Sequence, residues 1–188
     1  MANENIISSI LKDTGACTFD LRDYRYDQRL AYVSMIVSLA WADGAIDQRE
    51  RDLIETIASA AGEDIVRQLD SIFIQNRKFN IEQYDQWVAC IDDQKLKVGL
   101  MIDMFLTTFA DTICMQSETI YMKYISQKLG IGDQLYTEIR KAVEEYLNTH
   151  NQEVNYEHGL LNDRVQNATA PDDTLLNRFI NNLSSLLF

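Results

Sequence analysis

Residues 40–50 read Ala40-Trp41-Ala42-Asp43-Gly44-Ala45-Ile46-Asp47-Gln48-Arg49-Glu50, a stretch with three carboxylates within eight positions. Gly44 suits the left-handed backbone conformation that commonly closes a helix. Asp47 followed three residues later by Glu50 is the pattern of a capping box, in which each side chain accepts from the backbone N–H of the other residue. The stretch therefore predicts a helix–turn–helix corner.

The segments on both sides of this corner have the apolar periodicity of helices. The first helix is predicted to begin near Tyr26, and the second to run to Ala61-Gly62. Further stripes predict a helix over 64–76, one carrying Trp87, and helices over 93–110, up to about 129, and over 133–148. One proline and seven glycines in 188 residues also favour helices joined by short turns. We expect an all-α helical bundle.

Composition narrows the range of partners. The formal net charge is −12, which repels phosphate backbones, so we expect no nucleic acid partner. The N-terminus lacks the basic and apolar regions of a signal peptide, and no apolar run is long enough to span a bilayer. The three widely spaced cysteines suggest reduced thiols, so a cytoplasmic location is expected.

The chain resembles itself at an offset of 68 residues. Residues 30–62 then align with 98–130 without a gap, with Ala42-Asp43 meeting Ala110-Asp111, Glu50 meeting Glu118 and Gly62 meeting Gly130. The second copy has lost its turn chemistry, because Thr112 replaces Gly44 and Met115 replaces Asp47. The repeat predicts two related helical hairpins packed in a single bundle.

The corner resembles the A-D-G-x-(I/V)-D-x-x-E corner of TerB-like domains, the tellurite-resistance group, and the likeness covers about residues 26–148. The resemblance implies an all-helical accessory module that is linked to bacterial stress and tellurite resistance, has no assigned catalytic activity and has acidic residues proposed to bind a divalent metal. We therefore expect a non-enzymatic interaction or stress-response module. Those residues are Asp43, Asp47 and Glu50 here, with Asp111 and Glu118 as weaker counterparts. We divide the chain into an extension (1–25), the TerB-like domain (26–148), a polar linker (149–171) and an amphipathic helix (172–188).

Two interpretations of the corner acids remain open. Asp47 and Glu50 form a capping box without any metal, whereas Asp43 near a helix C-terminus faces the negative end of the helix dipole and needs compensation. Asp43 would gain that compensation by capping the next helix across the turn or by sharing a cation with Asp47 and Glu50. Oxygen ligands favour Ca²⁺ or Mg²⁺ over Zn²⁺ at such a site. We predict no catalytic residue. The alternative is a metal-dependent hydrolase that uses the same carboxylates to activate water.

The segment 172–188 is the second informative region. Its apolar stripe predicts an amphipathic helix with Leu175, Leu176, Phe179, Ile180, Leu183 and Leu187 as partner-binding residues. This helix either folds back onto its own domain or is offered to a protein partner or a second copy, which would make the chain a scaffold or oligomerisation protein. Arg178 is its only basic residue, so membrane contact is expected to be peripheral at most.

Overall fold

The computed structural model describes residues 21–42, 44–78, 81–109 and 116–150. These residues form eight helices and contain no strand, which confirms the predicted all-α class. No helix among them is long and apolar enough to cross a bilayer. The helices are α1 (Tyr26–Ala40), α2 (Gln48–Ala61), α3 (Glu63–Val66), α4 (Leu69–Gln75), α5 (Ile81–Cys90), α6 (Gln94–Thr108), α7 (Gln116–Lys128) and α8 (Asp133–His150).

Helices α1 and α6 form the centre of the bundle. From Ala31 to Ala40 every residue of α1 is buried, and α6 is buried on nearly all sides. Helices that are apolar all round belong in the interior of a domain, where neighbours cover every face. Accordingly α1 packs against α2, α5 and α6, and α6 packs in turn against α7 and α8.

The repeat in the sequence is also a repeat of the helices. α1 and α6 are both 15 residues long, and their first and last residues are each 68 positions apart. α2 and α7 begin 68 positions apart as well. Equivalent side chains such as Val37 and Phe105 are both buried in the one core. The bundle therefore contains two related hairpins, as predicted.

The single helix predicted over 64–76 is wrong, because this segment forms the two short helices α3 and α4. The break falls at Arg67 and Gln68, where the amide of Gln68 donates to the carbonyl of Ile65, three residues back, at 2.9 Å. The apolar spacing of this segment predicts Val66 on the same buried face as Leu69 and Phe73. Leu69 and Phe73 are buried, but Val66 is 43% exposed.

The segments 1–20 and 151–188 lie outside the described residues. The predicted partner-binding helix, with its six residues from Leu175 to Leu187, falls in this region, so it stays a prediction. The boundaries of the four predicted segments likewise stay predictions. Leu21 is the first described residue; it is buried, and its N–H donates to the carbonyl of Ala60 at 3.2 Å.

Candidate metal-binding corner

The turn between α1 and α2 begins earlier than the position of its glycine suggests. α1 ends at Ala40 with Trp41 as its C-cap, and the N–H of Ala42 donates to the carbonyl of Leu39 at 2.8 Å. Gly44 follows three residues after the cap with φ of +94°, and its N–H donates to Trp41. Gly44 therefore takes the predicted left-handed conformation, but inside the turn and not as the residue that closes the helix.

The capping box predicted at the start of α2 is present. Asp47 is the N-cap, and its Oδ1 accepts from the N–H of Glu50 at 2.8 Å. In return Oε2 of Glu50 accepts from the N–H of Asp47 at 2.9 Å. The two carboxylates are thereby fixed on the same turn, and two of the N–H groups that a helix N-terminus leaves without a partner are satisfied.

The two hairpins share a buried acid at the same place. Glu50 is 6% exposed in α2, and Glu118, its counterpart 68 positions later in α7, is 5% exposed. Asp47, in contrast, is exposed to solvent. A buried carboxylate requires hydrogen bonds or a cation to offset its lost hydration. Each corner therefore places one carboxylate where such compensation matters.

Only part of the predicted acidic set can be placed. Asp47 and Glu50 lie together, as predicted, and Glu118 occupies the equivalent position of the other hairpin. Asp43 and Asp111 lie outside the described residues. Within the ranges that the structure describes, no three or more His, Cys, Asp or Glu side chains are grouped so that they could hold a metal. A cation at the first corner would thus depend on Asp43 joining Asp47 and Glu50.

A basic and aromatic surface, which the sequence reasoning missed, adjoins the corner. The indole Nε1 of Trp41 donates to the carbonyl of Phe73 in α4 at 3.1 Å. The Arg77 guanidinium lies over the Trp41 ring, 5.3 Å from its centroid, and that of Arg51 lies 4.8 Å from the centroid of Phe73. Arg77 lies 36 positions after Trp41 in the sequence, so no local sequence pattern signals their contact.

At the other end of the hairpin, charged groups are paired with each other. Arg29 of α1 donates from both Nη1 and Nη2 to the carboxylate of Asp64, at 2.7 and 2.8 Å, and also to the carbonyl of Ala61. The Arg29 hydrogen bond holds the pKa of Asp64 below its ordinary value. Burial, reinforced by neighbouring Asp93, raises the pKa of Tyr24 to about 12. These groups tie helices together and are not arranged as a ligand site.

Buried polar groups between α1 and α6 also serve packing. The hydroxyl of Tyr32 donates to Oδ2 of Asp103 at 2.6 Å, and both residues are fully buried. Burial also raises the pKa of Tyr121 well above its ordinary value, so the phenol stays neutral. The sequence shows Asp103 as a single carboxylate inside an apolar stripe, but nothing in the sequence indicates Tyr32 as its partner.

The fold and the corner define a class: an all-α module built from a repeated helical hairpin with acidic residues in its first turn. The model of the family described as tellurite resistance protein TerB matches residues 12–68, so this part of the chain is similar to that family. The match includes the first corner and confirms the resemblance indicated by its motif. Searches of curated proteins and of solved structures found no match.

Proposed function

We propose that the chain is a non-enzymatic TerB-like module, active in the bacterial cytoplasm under stress, whose first corner binds a divalent cation. The observation that carries this proposal is the pair formed by exposed Asp47 and buried Glu50, which their reciprocal hydrogen bonds hold on one turn. Asp43 immediately precedes Gly44 in the sequence. A cation there would compensate acids that the bundle otherwise leaves close together.

The capping bonds are compatible with a cation. Each carboxylate oxygen has two lone pairs, so an oxygen that accepts from one N–H can still coordinate a metal. Oxygen ligands suit Ca²⁺ and Mg²⁺ better than Zn²⁺. A net charge of −12 also raises the local concentration of cations around the protein.

Thermal unfolding of the metal-stripped full chain tests the cation site. We expect Ca²⁺ or Mg²⁺ to raise the midpoint saturably, because a ligand that binds only the native state stabilises it by about 2.7 kcal/mol at one hundred times its Kd. Asp43→Asn should abolish the rise without removing the capping box. Asp52→Asn, an exposed acid on α2 outside the predicted metal set, is the matched control and should keep it. No rise with Ca²⁺, Mg²⁺, Mn²⁺ or Zn²⁺ would reduce the corner acids to helix caps.

The rival interpretation is a hydrolase that uses the same three carboxylates. Among the described residues, Cys90 is the one free cysteine, and burial raises the pKa of its thiol, which disfavours the nucleophilic thiolate. Hydrolysis of p-nitrophenyl phosphate or p-nitrophenyl acetate distinguishes the two classes. Turnover that requires both the metal and Asp43 would establish an enzyme and contradict the non-enzymatic proposal.

We further propose that the segment 172–188 makes the module an interaction protein, through contact with a protein partner or a second copy. This proposal is supported by the apolar stripe from Leu175 to Leu187, because an apolar helix face is normally buried against another surface. Light scattering of the full chain over a range of concentrations, compared with a Leu176→Asp, Phe179→Asp variant, tests self-association. A partner isolated from cells with the wild type but not with the variant would identify the other case.

A further inference from the structure

The most exposed large apolar side chain among the described residues is Ile74, at 75%. It lies on α4 directly after Phe73, whose carbonyl accepts from the half-buried Trp41, and Arg77 and Lys78 follow it in the chain. We name Trp41, Ile74, Arg77 and Lys78 the α4 surface. A single exposed apolar residue is ordinary. Tryptophan and arginine around an exposed isoleucine, however, are the residue types that dominate binding energy at protein interfaces.

The α4 surface is held in a fixed conformation. Asn76, directly before Arg77, is buried, and its Nδ2 donates to the carbonyl of Ile72 at 2.8 Å. Its Oδ1 accepts from the hydroxyl of Ser38 in α1 at 3.1 Å. Arg77 in turn rests on the ring of Trp41. A surface that is ordered before binding loses little conformational entropy when a ligand docks on it.

Two cations of the α4 surface have no carboxylate beside them in the described part of the chain. Neighbouring Arg51 is paired with Asp70 at 3.2 Å, but none of the ion pairs there includes Arg77 or Lys78. In a chain with a net charge of −12, two such cations beside an exposed apolar side chain form a distinct local environment. The matching ligand carries carboxylates next to large apolar side chains.

We propose that the chain's own segment 172–188 docks on the α4 surface. It begins with Asp172-Asp173 and continues with Leu175, Leu176 and Phe179, so acidic and apolar groups follow each other as the surface requires. The two carboxylates would meet Arg77 and Lys78, and the apolar stripe would cover Ile74. The proposal rests on the tail being an interaction element, as proposed above, but assigns it a surface of its own chain when no partner or second copy is bound. It is independent of the cation site.

The length of the chain beyond α8 permits this contact. Residues 151–171, the part of the chain between α8 and the tail, span up to roughly 70 Å when extended. A folded domain of about 130 residues has a radius of gyration of about 14 Å, so the tail can reach any point on its surface. Tethering by a short linker also gives the tail a millimolar effective concentration, which favours its own chain over a second copy.

Hydrogen exchange of the full-length chain, read by mass spectrometry, tests the proposal. We expect amides in 172–188 to exchange at least tenfold more slowly than the same segment as a free peptide. Ile74→Asp, and separately the pair Arg77→Glu and Lys78→Glu, should abolish that protection. Val66→Asp is the matched control, because Val66 is also an exposed apolar residue but lies outside the α4 surface; it should leave the protection unchanged.

A charge swap guards against a variant that is merely misfolded. Adding Asp172→Lys and Asp173→Lys to the Arg77→Glu, Lys78→Glu variant should restore the protection, because the complementary pairs are rebuilt with reversed sign. Unprotected tail amides in the wild type, or equal protection in all variants, would overturn the proposal. Protection that rises with protein concentration would also overturn it and would assign the surface to the tail of a second copy. The light-scattering result stands apart, since a tail can self-associate without touching α4.

Discussion

The hairpin α1–α2 and the hairpin α6–α7 have the same helices and different polar chemistry. Their helices start 68 residues apart, and Glu50 and Glu118 are buried at equivalent positions. Only the first hairpin has Arg29 and Asp64, since Lys97 and Gly132 stand at the equivalent positions. The capping Asp47 is likewise replaced by Met115. The comparison teaches that apolar packing specifies the hairpin, whereas the polar contacts that stabilise and distinguish each copy are added to it individually.

The largest difference is expected at the glycines that end α2 and α7. Gly62 has φ of +116°, and an added Cβ would lie 2.8 Å from Nη1 of Arg29; Gly130 has φ of +72° with nothing within 4 Å. Gly62→Ala should cost about 3 kcal/mol through backbone strain and displacement of Arg29. Gly130→Ala should cost about 1 kcal/mol. Urea unfolding measures both, and equal losses would mean that the Arg29 contact does not distinguish the hairpins.

The next effect concerns the hydrogen bond between Tyr32 of the first hairpin and Asp103 of the second, which do not occupy equivalent positions of the repeat. Tyr32→Phe removes the donor to Asp103 in the fully buried interior, so the free energy of unfolding should fall by about 2 kcal/mol. The same substitution in an Asp103→Ala background gives a double-mutant cycle, in which a coupling of about 1 kcal/mol or more is expected. Additive losses would show that Tyr32 contributes through packing alone.

A smaller effect is expected at the cap that only the first corner retains. Asp47→Ala should lower the free energy of unfolding by about 1 kcal/mol, because the N–H of Glu50 loses its acceptor. Asp52→Ala is the matched control on the same helix: its exposed carboxylate accepts only from Gln48 among the described contacts, and the change should cost less than about 0.5 kcal/mol. Chemical denaturation in metal-free buffer separates the cap from any cation. Equal losses for the two acids would argue that the capping box does not stabilise α2.

The smallest effect is a dependence on pH that the first hairpin alone should show. The pKa of Asp64 is lowered by its hydrogen bond with Arg29, so its stabilising contribution is present above the unfolded-state value near 3.8 and is lost as the pH falls through the lower folded-state value. The stability advantage of the wild type over Asp64→Asn should therefore shrink below about pH 4. Urea midpoints between pH 7 and pH 3 measure this. A gap that does not change with pH would indicate that the carboxylate acts only by its shape.

The sequence was sufficient for features that depend on nearby residues. The apolar stripes of α1 and α6 repeat every three or four positions, so both helices could be predicted from their own residues. The capping box links Asp47 to a residue only three positions away, and it too was predictable. The break at Arg67 and Gln68 was not, because neither glycine nor proline stands there to signal the end of a helix.

The contacts that the sequence did not reveal, inside and outside the candidate site, join residues far apart in the chain. Arg29 and Asp64 are 35 positions apart, and neither stands in a recognisable motif. Ile72, Phe73 and Ile74 are three consecutive large apolar residues, and no local pattern shows that Ile74 faces solvent while Ile72 and Phe73 are buried. Such contacts follow from how the helices pack, which periodicity alone does not determine.

The position of Trp41 makes the protein its own optical reporter. Its indole is hydrogen-bonded to Phe73, lies under Arg77, and caps the helix that leads into the acidic corner. Trp87 is the only other tryptophan in the sequence, so a Trp87→Phe variant emits from Trp41 alone. Its fluorescence would register both a cation entering the turn and a tail covering α4. Titrating one of these events while the other is blocked would then reveal whether the two sites communicate through this shared ring.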